Sequence, residues 1–165
     1  MNLEHNNKVH KIDGVSIKEL AEKFGTPCFV YSDSSISKSF QEIKDVFSSD
    51  KKNIYYSVKA NSSLSILKLL LKMGAGFDIV SMGELDRVIK IGANPKKIVY
   101  SGVGKSESDI KRSIELGIYC INVESFAELE RINKIAGDLN IKAPVAIRVN
   151  PNIDPGSHEY ISTGL

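Results

Sequence analysis

A chain of 165 residues can bury one good core but is too short for a complete (β/α)8 barrel, which typically needs about 250 residues. Its composition, 42% hydrophobic and 25% charged, is that of an ordinary soluble globular protein, and 22 basic against 20 acidic residues leave a net charge of +2. That balance, with the basic residues scattered, excludes an electrostatic case for nucleic acid or an anionic membrane surface as partner. No apolar run approaches the roughly 18 residues of a transmembrane helix, and the polar N-terminus carries no secretory core, so a cytoplasmic protein is expected. Cys28 and Cys120 lie in apolar runs without C-x-x-C spacing and read as reduced, buried thiols; His5, His10 and His158 show no metal-ligand spacing.

In chain order, Val9 to Ile17 reads as a short strand pair turning at Asp13-Gly14. Ser16 then caps a helix from Ile17 to Phe24, which Gly25 and Pro27 end. Cys28 to Tyr31 is expected to be a strand. A helix from about Ile36 to Phe47 follows, with Ile36, Phe40, Ile43 and Phe47 at helical spacing. From Ile54 the pattern becomes regular. Strands are expected at Ile54 to Val58, Phe77 to Val80, Ile98 to Tyr100, Tyr119 to Val123 and Val145 to Val149. Between them stand helices at Ser65 to Met73, Glu84 to Ile91, Glu107 to Leu116 and Phe126 to Leu139, the first three stopped by Gly74, Gly92 and Gly117. Each strand ends in polar residues, and the step from one polar cluster to the next is about 21 to 26 residues, the length of one strand, one helix and two loops. This rhythm predicts a parallel sheet with right-handed crossovers: an α/β fold of the (β/α)8 TIM-barrel class, with only the first five βα units in residues 54–165 and a separate N-terminal segment in residues 1–53. After Arg148 the pattern gives way to a loop, Asn150 to His158, and the chain is expected to be the N-terminal part of a longer protein.

In such barrels the chemistry sits at the C-terminal ends of the strands. Lys59 closes the first of them. Strand alternation puts Tyr55, Ser57 and Lys59 on one face, and a lysine facing the barrel interior is expected to be partly desolvated, and so nucleophilic. The competing account is a strand-end lysine whose charge reaches water. Asp78 sits in mid-strand, where aspartate is depleted unless it has a partner. Ser81 with Glu84, and Ser125 with Glu128, have the spacing of capping boxes, which for Glu84 does not exclude a second role. Glu124 has no such structural explanation. Arg148 alternates with Ile147 and Val149 and needs an anion inside the barrel, or else a carboxylate such as Asp78. Gly104-Lys105-Ser106 looks like the tail of a P-loop, but the required first glycine would fall at Val99, so a nucleotide site is rejected. The glycines around it suit a loop passing close to something in the barrel mouth.

Tyr56 to Asn61, Phe77 to Leu85 and Arg148 to Pro151 together resemble the alanine-racemase-like (fold type III) pyridoxal-phosphate enzymes. Ser101 to Ser106, Asn122 to Ser125 and His158 to Leu165 look like the diaminopimelate decarboxylase subfamily within them, and the resemblance runs in order from about residue 9 to the end. It implies that Lys59 carries pyridoxal 5'-phosphate covalently and helps with proton transfer. It implies that Asp78 and Glu84 are acidic residues close to the cofactor and the lysine, and that Arg148 contacts the cofactor's phenolic oxygen. The activity implied is decarboxylation of meso-diaminopimelate to L-lysine, by a homodimer acting on a small amino-acid substrate. The family pattern continues beyond Leu165 with a ring-stacking histidine, a glycine-rich phosphate cup, substrate-binding arginines and a β-domain against which the first 53 residues pack. The alternatives are a related ornithine or arginine decarboxylase, an amino-acid racemase, and, from another class, a non-catalytic cofactor-binding module.

Overall fold

The computed structural model describes residues 4–6, 9–47 and 53–151. The segment His158 to Gly164, to which the sequence gives no role, lies outside the described residues.

The N-terminal segment is a three-stranded antiparallel sheet, β1 (Glu4–Asn6), β2 (Val9–Ile12) and β3 (Val15–Ser16), followed by α1 (Ile17–Phe24) and α2 (Asp33–Val46). The β2–β3 turn is made by Asp13, at φ 50°, and Gly14. Asp13 then serves a second purpose. Its carboxylate accepts hydrogen bonds from the hydroxyls of Ser32 and Ser34, which pulls the carboxyl below its usual range and ties the hairpin to the start of α2. Ser32 is also the N-cap of α2, accepting from Ser35 N at 3.0 Å, so this helix begins three residues earlier than its apolar spacing suggests.

The strand expected at Cys28 to Tyr31 is absent. These residues form no ladder, because no other strand among the described residues lies alongside them, and their side chains stand in solvent, Phe29 at 92% exposure. Cys28 is accordingly exposed rather than buried, while Cys120 is half-buried; both are free thiols.

The regular region forms one parallel sheet in strand order β4 (Tyr55–Ser57), β5 (Gly76–Ile79), β6 (Ile98–Tyr100), β7 (Cys120–Val123) and β8 (Val145–Ile147). The crossovers are α3 (Leu64–Lys72), α4 (Met82–Lys90), α5 (Glu107–Leu116) and α6 (Phe126–Asp138). α5 ends at Gly117, whose φ of 64° gives the left-handed turn that frees the chain to enter β7.

Side chains on the strands alternate as a sheet covered on one face demands. Phe77, Ile79, Ile98, Tyr100, Ile121 and Val123 point outward and are buried under the helices with Leu67, Leu85, Val88, Ile110 and Ile132. A smaller cluster of Phe40, Ile66, Leu70 and Ala75 fixes α2 and α3 beside β4. The opposite face carries Tyr55, Ser57, Asp78, Val99, Ser101, Cys120 and Asn122, all half-buried.

That second face is concave. The rings of Tyr55 and Tyr119, three strands apart, come within 6.0 Å of each other, which a flat sheet could not permit. Gly76 on the intervening strand makes room: a Cβ there would lie 2.7 Å from the Tyr55 ring and 2.7 Å from the Lys97 carbonyl oxygen. Gly76→Ala is therefore expected to destabilise the fold by about 1–3 kcal/mol in denaturant unfolding. Removing the ring as well, with Tyr55→Ala, should recover only part of the loss, since the Lys97 backbone still obstructs the methyl group.

Candidate active site

The polar residues of the concave face form a continuous hydrogen-bond chain across four strands. Asp78 stands at its centre, on β5. Ser57 of β4 donates to its Oδ2 at 3.4 Å, and Ser101, just after β6, donates to its Oδ1. Asn122 of β7 donates from Nδ2 to Ser101 Oγ at 2.9 Å. An aspartate in the middle of a strand is thus stabilised by hydroxyls that the register brings level with it, Ser57 being its direct β4 partner.

One row further along the strands lies a second polar group. Glu124, just past β7, accepts from Gly102 N at 3.1 Å and from Arg148 Nη1 at 3.1 and 3.2 Å. The glutamate is nearly buried, its side chain 11% exposed, whereas the Arg148 side chain is 55% exposed. Glu124, left without a structural role by its sequence, thus has one. Arg148 pairs with Glu124 and not with Asp78, because β8 is the direct neighbour of β7, while β6 and β7 separate it from β5. Gly102, at φ 96°, lets the loop after β6 turn its N–H toward Glu124, which is the close approach expected of this glycine-rich segment.

Lys59 does not lie on a strand. β4 ends at Ser57, and Val58–Ala60 form a single 3-10 turn on which Val58 is fully buried and Lys59 exposed. The expected desolvation is therefore not supplied by the described residues: a five-stranded sheet leaves its concave face open to water. Lys59 nonetheless stands two residues after Ser57, which hydrogen-bonds to Asp78.

Glu84 behaves as half of a cap. Ser81 Oγ accepts from Glu84 N at 3.3 Å, while Glu84 Oε2 reaches one residue further back than a capping box requires and accepts from Val80 N at 2.8 Å. Ser125 and Glu128 repeat this geometry at α6, where Glu124 N donates to Glu128 Oε2 at 2.7 Å. The strict capping box belongs to Ser106 and Asp109 at α5.

Sequence reasoning assigns Lys105 no role in the site. Its side chain is 1% exposed, and its ammonium forms an ion pair with the buried Glu128 at 2.9 Å while lying 5.5 Å from the centre of the Tyr100 ring. The only signal was a lysine between a glycine loop and a helix cap, the same pattern that resembled a P-loop. Below it, burial first and the Asp109 carboxylate second push the Tyr100 phenol up to about 12. Above pH 10 an unfolded tyrosine ionises while this one keeps its proton. Its contribution to stability is therefore complete below pH 10 and is lost as pH rises to about 12, a loss on the order of 2 kcal/mol. Equilibrium unfolding of Tyr100→Phe across this range is expected to show a correspondingly shallower alkaline decline than the parent protein.

Pyridoxal 5'-phosphate makes three demands that these residues meet: a primary amine for its aldehyde, an acid network inside the cup of the sheet, and a cation for an anionic oxygen. Lys59 on the turn after β4, Asp78 on β5 and Arg148 just past β8 are groups of these three kinds.

Comparison with known proteins shows the family. Residues 33–165 match the family described as pyridoxal-dependent decarboxylase, pyridoxal binding domain. The chain is 48% identical over 153 residues to the diaminopimelate decarboxylase of Pseudomonas aeruginosa, covering 93% of this chain and 37% of that protein. It is 44% identical to that of Haemophilus influenzae, covering 96% and 38%. Among solved structures, the Helicobacter pylori diaminopimelate decarboxylase complexed with L-lysine superposes with a TM-score of 0.86 at 48% identity, over 90% of this chain and 38% of that one. The lysine/ornithine decarboxylase of Vibrio vulnificus, at 22% identity and a TM-score of 0.71, shares the fold. The chain spans a little over a third of the length of the curated relatives it matches. Among the described residues, no helix is long and apolar enough to cross a membrane.

Proposed function

Because the chain belongs to the family of pyridoxal-dependent decarboxylases through its pyridoxal-binding domain, we propose that it is the N-terminal portion of an enzyme that decarboxylates meso-diaminopimelate to L-lysine and carbon dioxide. The observation that carries this reading is the set formed at one end of the parallel sheet by the amine of Lys59, the hydrogen-bonded Asp78 and the exposed guanidinium of Arg148. The choice of substrate is supported by identities of 44–48% to diaminopimelate decarboxylases, against 20–22% to decarboxylases of ornithine or arginine type.

When bound, pyridoxal phosphate supplies an electron sink for the charge left on carbon when carbon dioxide departs. The residues do the positioning. Lys59 is the amine that would hold the cofactor covalently and would carry a proton for the product carbon. Asp78, its two carboxylate oxygens engaged by Ser57 and Ser101, would present a fixed carboxylate to the bound cofactor. Arg148, held by Glu124, would place a positive charge against the cofactor's phenolic oxygen. Glu84, at the start of α4, has one oxygen committed to Val80 N, and the other would be the one to meet Lys59 or substrate.

The phosphate cup and the substrate-selecting residues belong, on this reading, to the part of the enzyme beyond Leu165, which also completes the barrel. Clefts of about 460 and 470 Å³ flank β4 and β8, at the two unclosed edges where further elements would pack. Residues 1–53 form the segment that packs against a further domain. This is supported by α1, which buries none of its residues, and by the exposure of Phe24, Phe29 and Tyr31. The whole enzyme is a cytoplasmic homodimer, with Cys28 and Cys120 kept as free thiols.

Two results are expected. In the whole protein, Lys59→Ala should abolish the visible absorbance of bound cofactor and the mass added to this lysine by borohydride treatment; a variant spectrum matching the parent would remove Lys59 from the site. The 165-residue chain alone, mixed with pyridoxal phosphate and diaminopimelate, is expected to release no carbon dioxide above a cofactor-only control, because the phosphate has no cup to hold it.

A further inference from the structure

We infer that Lys105 is a positioning residue for Arg148, acting through Glu128 and Glu124; the inference rests on the proposed role of Arg148 at the cofactor. All three N–H groups of the Lys105 ammonium are used, on Gly102 O at 2.5 Å, Asn122 O at 2.8 Å and Glu128 Oε1 at 2.9 Å. One cation thereby ties together the loop after β6, the end of β7 and the first turn of α6. The other oxygen of Glu128 accepts from Glu124 N at 2.7 Å. The Glu124 carboxylate in turn accepts from Gly102 N and from Arg148. The hydrogen bonds close a ring, Lys105 to Glu128 to Glu124 to Gly102 and back to Lys105, and Arg148 hangs from its one outward-facing carboxylate.

α4 provides an internal control. There Ser81 and Glu84 build the same turn, with the glutamate reaching back to Val80 N, and no buried lysine accompanies it; Glu84 is half-buried and needs none. The cap alone therefore does not explain Lys105. What distinguishes the α6 site is the second glutamate in front of it. The Glu128 carboxylate fixes the backbone of Glu124 by accepting from its N–H, and the buried ammonium compensates the buried charge of Glu128, so that Glu124 is held where Arg148 needs it. The four charges of Lys105, Glu128, Glu124 and Arg148 sum to zero, and only the arginine is left to face the site.

The test uses the whole protein with Lys105→Met and Glu128→Gln combined, a pair that keeps side-chain volume and the acceptor for Glu124 N while removing both buried charges. The readouts are retention of pyridoxal phosphate, by equilibrium dialysis, and the pH profile of its visible band. A loss of affinity of about tenfold and a displaced pH profile are expected in the Arg148 background, with less than about a twofold further loss when Arg148→Ala is already present. Unchanged affinity and pH profile, or equal losses in both backgrounds, would overturn the inference. Should the double variant not fold, Glu128→Gln alone carries the test: a smaller loss that again vanishes with Arg148→Ala is expected, and no loss overturns the inference. Borohydride fixation of the cofactor on Lys59 of the parent protein is scored separately, since its failure would count against the proposed function. In that case side-chain hydrogen exchange of the Arg148 guanidinium decides: it is expected to quicken in the charge-free pair, and an unchanged rate would refute the coupling.

Discussion

A parallel sheet covered by helices on one face must give up alternate side chains to that face, and the rest of this molecule follows from that demand. Phe77, Ile79, Ile98, Tyr100, Ile121 and Val123 are committed to the helices. Their sequence neighbours are thereby forced onto the concave side, where Asp78, Ser101 and Asn122 find one another. Had Asp78 been displaced by one residue it would have faced the apolar layer, where an unpaired carboxylate is costly. The polar chain is therefore no accident of surface chemistry; it is what a two-residue period leaves over.

The curvature that turns this face into a cup also has an identifiable source. Gly76 has no side chain to hold the Tyr55 ring off the sheet, so the ring lies across β5 and reaches Tyr119. At the other end of the strands the turns into the helices are built by repeated use of one device, a serine N-cap with a glutamate three residues on. At α4 the glutamate remains half in solvent. At α6 it is buried against Lys105, and the same four-residue motif becomes part of an electrostatic support. The difference lies in what faces each glutamate from the neighbouring βα loop.

The N-terminal segment obeys different rules. Its hairpin is pinned to α2 by Asp13, but α1 buries nothing, and the stretch around Phe29 is extended without a partner. Apolar residues in extended conformation read locally as a strand, and whether they become one depends on an available edge. The same reasoning applies to Cys28, whose apolar neighbours suggested burial that no surrounding element provides.

The sequence by itself determined that strand residues alternate between two faces, where the helices stop, and that the polar ends of successive strands converge, because all of these depend on periods of two and of about 3.6 residues and on local capping chemistry. It also placed Asp78, Lys59 and Arg148 at one end of one sheet. Only the tertiary structure decided that Arg148 belongs to Glu124 rather than Asp78, that Lys59 stands on a turn open to solvent, and that Lys105 is buried in a ring of acceptors. Those outcomes depend on strand order, register and the path of loops from three separate βα units, and contacts between residues about 20 apart leave no periodic trace along the chain.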